Sequence, residues 1–373
     1  MLNILQKRPP LDAAELPAQR KWLEETIGVK ETIGKQLGSD PRPELNPFES
    51  PPWFTFERKP ASKRAVVLRN RLSLGKSMHI GIAGTGKMGS AIAQRLLTLG
   101  HQVTVWNRTP ERAQPLIELG AEWAESARDL AGLTDTVITM LTDEDALDQV
   151  YLGPRGLLSE AVDNQLFIDM STVKPAKQRE IGARVAAARA SYLECPVGGS
   201  VGPAREGKLL GFVGGAEKDL ARARVILDQL CRRVEHVGAL GAGATMKLAI
   251  NLPLMVYWQT LGEALSLIQP LGLDPQRVID IFSETSGGPN MLKVRGGMIS
   301  QALAGTNSGQ VTVNIATMRK DMHSMLDQAK LQDVKLPLTA LALTCFDRAA
   351  GTGLDSADCT QLLVWWLGEG GKA

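Results

Sequence analysis

Lys247 and Asn251 are the side chains best suited to chemistry, because they lie four residues apart and share one face of a predicted helix. The stretch around them, residues 244–270, is rich in Ala, Leu and Met. A lysine and an asparagine that face a cleft from such an apolar helix cost free energy unless they are paired or used. The pair therefore indicates a candidate site near the start of that helix.

A glycine-rich turn near residue 84 has the form of a dinucleotide-binding site. An apolar run at residues 79–83 ends in Gly-x-Gly-x-x-Gly, and an Ala-rich helical pattern follows at once. Glycines at this spacing make a tight turn, let the backbone approach a pyrophosphate and allow close helix packing. A purely structural strand–turn–helix is the alternative. The predicted cofactor contacts in the turn are Gly84, Thr85, Gly86, Lys87, Met88 and Gly89.

The end of the second predicted strand bears on which cofactor is bound. NAD-binding folds place an Asp or Glu there for the ribose hydroxyls, whereas this chain has Asn107, Arg108 and Thr109. Arg108 can contact a 2′-phosphate through its charge and planar donors, and its two neighbours can add hydrogen bonds. The sequence therefore predicts NADP(H) in preference to NAD(H). The alternative is a solvated Arg108 and an enzyme that accepts both cofactors.

Two further segments could bind an anionic substrate. Ser171 and Thr172 follow a predicted strand at residues 165–170, and strand ends of open parallel sheets face the ligand crevice. The same hydroxyls could instead cap a helix that starts at Pro175. The segment Cys-Pro-Val-Gly-Gly-Ser at residues 195–200 has a backbone that can bring N–H groups to an anion, although a plain turn is the commoner role.

The candidate residues lie in separate segments, and a parallel sheet would bring the ends of those segments together. Strand patterns at residues 79–83, 102–106, 136–141, 165–170, 191–194, 209–213 and 233–237 alternate with helical ones such as 110–119 and 177–189. Helical patterns alone follow, at residues 244–270, 275–283, 313–331, 336–350 and 357–366. The sequence predicts an α/β Rossmann-like doubly wound parallel sheet over residues 78–241 and an all-helical C-terminal domain over 242–373. The apolar stretch 244–270 predicts a buried or subunit-facing helix, and hence a homodimer or homotetramer.

Composition narrows the class of protein. The 373 residues are 44% hydrophobic and 22% charged, which is typical of a globular chain. A net charge of +2 gives no bulk electrostatic case for nucleic acid or an anionic membrane. No apolar run approaches the ~18 residues that a membrane-spanning helix needs. The four cysteines form no CxxC pair and the four histidines no ligand spacing, so we expect a cytoplasmic protein without a metal.

Residues 1–77 differ in character from the rest of the chain. They hold many prolines and mixed charges, with helical periodicity only near residues 18–36. We expect an N-terminal extension that is largely extended or disordered. It lacks the apolar core of a secretory signal and carries too many acids for a typical transit peptide. A mis-assigned start codon upstream of Met78 is the alternative explanation.

Five collinear motifs between residues 78 and 365 resemble those of the β-hydroxyacid dehydrogenase family, which includes 3-hydroxyisobutyrate dehydrogenase and the glyoxylate/succinic semialdehyde reductases. One such motif is weak, but five in order with sensible spacing are a specific signal. They are the glycine turn, Asp169-x-Ser171-Thr172-x-x-Pro175, Pro196-Val197-x-Gly199, Gly241-x-Gly243-x-x-x-Lys247-x-x-x-Asn251 and Lys320-Asp321.

The resemblance implies a role for each matching residue. Lys247 would give a proton to the carbonyl oxygen during reduction and, directly or through its hydrogen-bonded network, accept the hydroxyl proton during oxidation. Asn251 would orient Lys247 and the substrate oxygen. The substrate carboxylate would be held by Ser171, Gly199 and Ser200. The implied further cofactor contacts are Leu141, Thr142, Thr172 and Lys320.

The chain also departs from the family pattern. Gly198 stands where relatives often carry a serine, and Ser200 adds a hydroxyl nearby, so the identity of the substrate is left open. Imine reductases share the expected architecture but usually lack the lysine, and non-catalytic relatives have lost it. We therefore expect an NADP(H)-dependent oxidoreductase that interconverts a small hydroxy acid and its semialdehyde or oxo acid, with imine reductase or a binding module as alternatives.

Overall fold

The computed structural model describes residues 77–306 and 309–372. The expectations for the N-terminal extension, including the helix near residues 18–36, fall on residues 1–76 and lie outside this description. Within the described residues, no helix combines the length and the apolar character needed to cross a membrane.

The first part of the described chain forms a nine-stranded sheet in which six neighbouring strands run parallel. The strand order is β3-β2-β1-β4-β5-β6-β8-β7, with β9 beside β8. Strands β6 and β7 run antiparallel to β8, and β9 runs parallel to it. The strands are β1 (His79–Ala83), β2 (Gln102–Trp106), β3 (Glu122–Trp123), β4 (Thr136–Thr139), β5 (Leu166–Asp169), β6 (Ser191–Glu194), β7 (Val197–Gly198), β8 (Leu209–Gly214) and β9 (Cys231–Gly238).

Helices cover both faces of this sheet. Every residue of β4 and β5 is buried, as expected for parallel strands packed on two sides. Successive side chains point to opposite faces, so Phe167 enters one apolar cluster and Ile168 the other. The helices are α1 (Lys87–Thr98), α2 (Gln114–Ile117), α3 (Ala127–Leu133), α4 (Glu144–Leu152), α5 (Pro175–Ala187), α6 (Val201–Glu206) and α7 (Glu217–Leu230).

The position of β1 in the sheet locates the ligand crevice. From β1 the chain proceeds through β2 and β3 on one side, and through β4, β5 and β6 on the other. In open α/β sheets, ligands bind outside the carboxyl ends of the strands where the order reverses in this way. The loops that follow β1, β4 and β5 therefore border the crevice.

From Ala242 onwards the described elements are helical, apart from an isolated bridge between Asn314 and Asp358. The first of these helices continues through Pro253 and buries Trp258 in a second apolar core. The helices are α8 (Ala242–Ile268), α9 (Pro275–Ser283), α10 (Asn290–Leu303), α11 (Ile315–Leu331), α12 (Pro337–Ala349) and α13 (Thr360–Trp365). The predicted fold class, a Rossmann-like sheet followed by a helical part, is confirmed.

Several elements differ from the sequence pattern. The predicted helix at residues 110–119 is a 3₁₀ turn, Pro110–Arg112, followed by the four-residue α2. Pro115 lies in the first turn of α2, where a residue without an N–H is tolerated, and this favours a new helix start there. Helix α10 was not predicted, because Gly296 and Gly297 lower its helix propensity. Strands β3 and β7 are only two residues long and carry no recognisable alternation.

Candidate active site

The glycine turn at the end of β1 has the geometry of a dinucleotide cradle. Gly84 has φ +100°, a conformation that favours glycine. A Cβ on Gly89 would overlap the carbonyl oxygen of Gly84, so α1 can approach the strand only with glycine there. A Cβ on Gly86 would instead meet nothing within 4 Å. The turn therefore leaves open space beside Gly86, as the approach of a pyrophosphate requires.

The other residues of the turn are held by their neighbours. The Lys87 amine donates to the carbonyl of Val311, which precedes α11. Met88 packs against the apolar core beneath α1. The Thr85 hydroxyl is buried and has no hydrogen-bond partner within the described residues. An orphaned hydroxyl beside open space suits a polar ligand at this turn.

The segment after β2 reaches the glycine turn through Asn107. Its side-chain oxygen accepts the N–H of Thr85 at 3.0 Å, and its amide nitrogen donates to the carbonyl of Thr109 at 2.8 Å. Asn107 therefore braces the loop. Arg108 is exposed beside it, and no carboxylate in residues 77–306 or 309–372 pairs with its guanidinium. An unpaired cation at this position fits a ligand that carries a phosphate.

Lys247 lies on α8, one and a half turns from the helix start, and is partly exposed. Desolvation lowers the pKa of its amine from the usual 10.5, while the carboxylate of Asp321 acts in the opposite direction. The Asn251 amide, on the next turn of α8, donates to Asp321 Oδ2 at 3.3 Å. The two residues predicted from their spacing are thus both linked to one carboxylate.

Asp321 is a residue whose role the sequence analysis missed. It lies on α11, is 4% exposed, and its Oδ1 is 3.0 Å from the Lys320 amine. A buried carboxylate without a cation would be costly, so this pairing and the bond from Asn251 offset its desolvation. The Lys320-Asp321 motif marked Asp321 in the sequence as a residue of interest. The motif did not show that this carboxylate contacts Asn251 on α8.

Lys320 connects the helical part to the sheet. Its amine donates to the carbonyl of Thr172 at 2.7 Å and to that of Thr142 at 3.1 Å. Thr142 follows β4 and Thr172 follows β5, so both carbonyls lie at the crevice. The structure therefore brings Lys247, Asn251, Lys320, Thr142 and Thr172 into one continuous arrangement.

Ser171 lies just beneath this arrangement. It is fully buried, its hydroxyl accepts the N–H of Leu141 at 2.9 Å, and it donates to Asp169 Oδ1 at 2.7 Å. Asp169 also accepts hydrogen bonds from Thr139 and Gln178, and burial raises the pKa of its carboxyl. Ser171 thus already donates within the protein, and its contact with a substrate stays a prediction. The sequence analysis missed this buried network.

Gly199 and Ser200 lie on the exposed turn between β7 and α6. Gly199 has φ +129°, and Ser200 is the N-cap of α6 without a side-chain capping bond. Helix α6 packs against α1, which starts at the glycine turn. Among the described residues, no hydrogen bond joins this turn to Lys247 or Asn251.

A cavity of about 470 Å³ adjoins the arrangement on the side of Lys320. It lies between the start of α4 at residues 143–145, the segment at residues 172–174 and helix α11, where Arg319 and His323 face it. Lys247 is not among the residues that line this cavity. Among residues 77–306 and 309–372, no three His, Cys, Asp or Glu side chains cluster in a way that could hold a metal ion.

The fold and the site together define an oxidoreductase that uses a nicotinamide nucleotide. The defining features are the glycine cradle at the end of β1, the parallel sheet, and the polar cluster on α8, the helix that leaves the sheet. Residues 79–238 match the NAD-binding domain of 6-phosphogluconate dehydrogenase. Residues 241–366 match the NAD-binding domain of NADP-dependent 3-hydroxyisobutyrate dehydrogenase. The chain belongs to the β-hydroxyacid dehydrogenase family, as its motifs predicted, and acts on CH–OH groups.

Individual relatives agree with this assignment. A 3-hydroxyisobutyrate dehydrogenase of Pseudomonas aeruginosa is 35% identical over 76% of this chain and 97% of its own length. The chloroplastic glyoxylate/succinic semialdehyde reductase 2 of Arabidopsis thaliana is 29% identical over 87% of this chain and 88% of its own. The structure of Psf3 in complex with NADP⁺ and 2-OPP is 29% identical, with a TM-score of 0.69 over 76% of this chain and 99% of its own.

Imine reductases are more distant. The structure of one from a Pseudomonas species is 20% identical, with a TM-score of 0.51 over 78% of this chain and 99% of its own. This likeness shows a shared fold alone.

Two glycine substitutions separate the packing of the turn from its ligand contact. Gly89→Ala forces Cβ against the Gly84 carbonyl, so we expect a loss of about 1–3 kcal/mol of unfolding free energy. Gly86→Ala adds its methyl group to open space at a residue with φ −67°, so stability should stay within about 0.5 kcal/mol. The same methyl group should weaken cofactor binding at least tenfold. Chemical denaturation and titration calorimetry measure the two effects, and an unchanged cofactor affinity in Gly86→Ala would contradict the cradle.

Proposed function

We propose that the protein interconverts a small hydroxy acid and its semialdehyde or oxo acid with NADP(H), and that Lys247 transfers the proton. The observation that carries this proposal is the lysine itself, on an apolar helix at the crevice, with its pKa lowered by desolvation and with Asn251 and Asp321 beside it. A lysine whose pKa is lowered in this way exchanges protons more readily at physiological pH than an unperturbed lysine does.

The residues of the crevice fit a nicotinamide nucleotide. The open space at Gly86, the orphaned hydroxyl of Thr85 and the unpaired Arg108 lie at the ends of β1 and β2. When bound, the nicotinamide supplies the hydride or accepts it. We infer that Leu141, Thr142, Thr172 and Lys320 border the ring end of the cofactor, because they follow the central strands β4 and β5 or bind the loops there.

Lys247 acts at the reacting oxygen in this proposal. During reduction its protonated amine gives a proton to the carbonyl oxygen as the hydride arrives at carbon. During oxidation the neutral amine accepts the hydroxyl proton. Asp321 stabilises the protonated amine and opposes the effect of desolvation, which is the larger of the two and lowers the pKa. Asn251, held by Asp321, orients the substrate oxygen toward the amine.

The substrate class follows from what the relatives share. The relatives include dehydrogenases for 3-hydroxyisobutyrate and 2-(hydroxymethyl)glutarate and a reductase for glyoxylate and succinic semialdehyde, and all of these substrates are carboxylates. We infer a small carboxylate-bearing substrate, held by Gly199, Ser200 and Ser171. Glyoxylate, succinic semialdehyde, methylmalonate semialdehyde and tartronate semialdehyde are the candidates for a substrate panel. Cyclic imines belong in the same panel, because a preference for them would replace this proposal with imine reduction.

We infer that NADP(H) is preferred because Arg108 occupies the position at which an acid would bind the ribose hydroxyls. Its exposed guanidinium has no carboxylate partner in the described chain, so it is free to pair with a 2′-phosphate. The preference is thus proposed to depend on a single cation.

We also propose a homodimer or homotetramer and a cytoplasmic location. The helical part exposes large apolar side chains, among them Leu267, Leu338 and Leu341, which are 83%, 69% and 67% exposed. Exposed apolar area of this kind favours a second copy of the chain. All four cysteines are free and buried, which suits a reducing compartment. The proposed domains meet between Gly241 and Ala242, where α8 begins.

Substitution of the lysine tests the catalytic role. Lys247→Ala should lower kcat for the preferred aldehyde acid by about 10²–10⁴-fold, because the proton donor is lost. In wild type the reduction rate should fall as pH rises through the lysine pKa, which lies below 10.5, since only the protonated amine donates. NADPH absorbance measures both effects. The control Lys218→Ala removes an exposed lysine of α7 and should change neither. Full turnover in Lys247→Ala would end the proposal.

Arg108→Asp tests the cofactor preference. Loss of a charge-assisted contact worth about 1.5–3 kcal/mol should reduce the ratio of kcat/KM for NADPH to that for NADH by about 10–100-fold. Arg112→Asp, which makes the same charge change at an exposed residue of the neighbouring 3₁₀ turn, is the matched control and should retain the wild-type ratio. An unchanged ratio in Arg108→Asp would show that another residue sets the preference.

A further inference from the structure

The first turn of α8 is held by a carboxylate that the mechanism above does not use. Glu194, the last residue of β6, is fully buried. Its Oε1 accepts the N–H groups of Gly241 at 2.6 Å and Gly243 at 2.9 Å, and its Oε2 accepts that of Ala244 at 3.2 Å. Such N–H groups have no partner within the helix, and the start of a helix favours a negative charge.

Two glycines make room for this contact. Gly214 on β8 pairs with Glu194 across the antiparallel ladder, and a Cβ there would overlap the carboxylate. A Cβ on Gly243 would overlap the carbonyl oxygen of Phe212 on β8. Sheet and helix therefore approach closely around the Glu194 side chain. This close fit makes the carboxylate a fixed point between β6, β8 and α8.

We propose that Glu194 is a positioning residue for the reaction: by fixing the first turn of α8 to the end of β6, its carboxylate sets where Lys247 presents its amine. The inference rests on the proposed function of Lys247. A helix rises about 1.5 Å per residue, so the six residues from Gly241 to Lys247 place the Lys247 Cα about 9 Å along the axis from the anchor. A displacement of only about 1 Å at a catalytic group can cost 10²-fold in rate, so the anchor has a measurable consequence.

The surroundings of Glu194 make the anchor dependent on pH. Burial raises the pKa of the Glu194 carboxyl to about 7, and the three N–H bonds act in the opposite direction. Above this pH the carboxylate accepts all three bonds. As pH falls through about 7, one oxygen gains a proton and the anchor weakens. The titratable groups that act on it are Asp169 on β5 and Tyr192 and Cys195 on its own segment. Of the charged and titratable groups on the packed elements, Arg179 of α5 lies beside Gly241, and His236 on β9 contacts the carbonyl of Gly215.

Kinetics of the full chain test the role of Glu194. With saturating NADPH and aldehyde acid, wild-type kcat should fall on the acid side with a midpoint near pH 7. Glu194→Gln keeps one acceptor oxygen but turns an NH₂ group toward the Ala244 N–H, so at pH 8 kcat should drop by about 10–100-fold, in line with the cost of misplacement. The fall in kcat below pH 7, which we call the acid limb, should disappear in this variant, and KM for NADPH should change less than twofold. Glu194→Asp keeps the charge and should restore part of the rate and the limb.

A structural cap elsewhere serves as the control. Ser126 caps α3 by accepting the N–H of Asp129 at 3.1 Å, far along the chain from the lysine. Ser126→Ala should cost about 1 kcal/mol of stability and leave both kcat and its acid limb unchanged. A merely structural Glu194 would behave like Ser126.

An independent readout needs no substrate. In protein labelled with ¹⁵N-glycine, the amide resonances of Gly241 and Gly243 should titrate with a midpoint near pH 7 in wild type and stay flat in Glu194→Gln. Flat amides in wild type, or wild-type kcat and acid limb in Glu194→Gln, would overturn the inference while the proposed function stands. Absence of wild-type turnover with every aldehyde acid would overturn the proposed function and, with it, the role of Glu194 in that reaction.

Discussion

The arrangement of the crevice depends on one amine that joins the helical part to the sheet. Lys320 donates to the carbonyls of Thr142 and Thr172, at the ends of β4 and β5, and pairs with Asp321 beside it. Hydrogen bonds from a cation are among the stronger contacts in a protein, because one partner carries a full charge. Through Asp321 the same contact reaches Asn251 on α8. The position of α11, and the electrostatics around Lys247, are thereby tied to the sheet edge.

Beneath the crevice, buried polar groups are paired with one another and form a defined floor. Asp169 accepts hydrogen bonds from Thr139, Ser171 and Gln178, and Ser171 in turn accepts the Leu141 N–H. Buried polar groups are costly when unpaired, and a connected network of this kind favours one arrangement over its alternatives. The loop after β4 is thus fixed by a serine that follows β5. Together with the glycine turn, this network gives a binding surface that is largely preformed.

Much of the fold could be predicted because its signals are local. The glycine turn, the alternation at β1 and β2 and the long apolar helix α8 each depend on residues within about one element, where periodicity and glycine geometry act directly. The spacing of Lys247 and Asn251 likewise placed both on one helix face. The differences between the predicted and the observed helices have local causes too. Pro115 favours a second helix start within residues 110–119, and Gly296 and Gly297 lowered the helix propensity of α10, so it was not predicted. Two-residue strands such as β7 form only because a neighbouring strand is present to pair with them.

The sequence by itself determined the order and type of most elements, the cofactor turn, the family and the candidate lysine, since these depend on residue types at short spacing. Only the tertiary structure decided which polar groups meet. The bond from Asn251 to Asp321 joins residues 70 apart in sequence, that from Lys320 to Thr172 joins residues 148 apart, and Gly243 reaches Glu194 across 49. Burial, pairing and the resulting pKa shifts arise from such distant neighbours, and no local pattern encodes their distances.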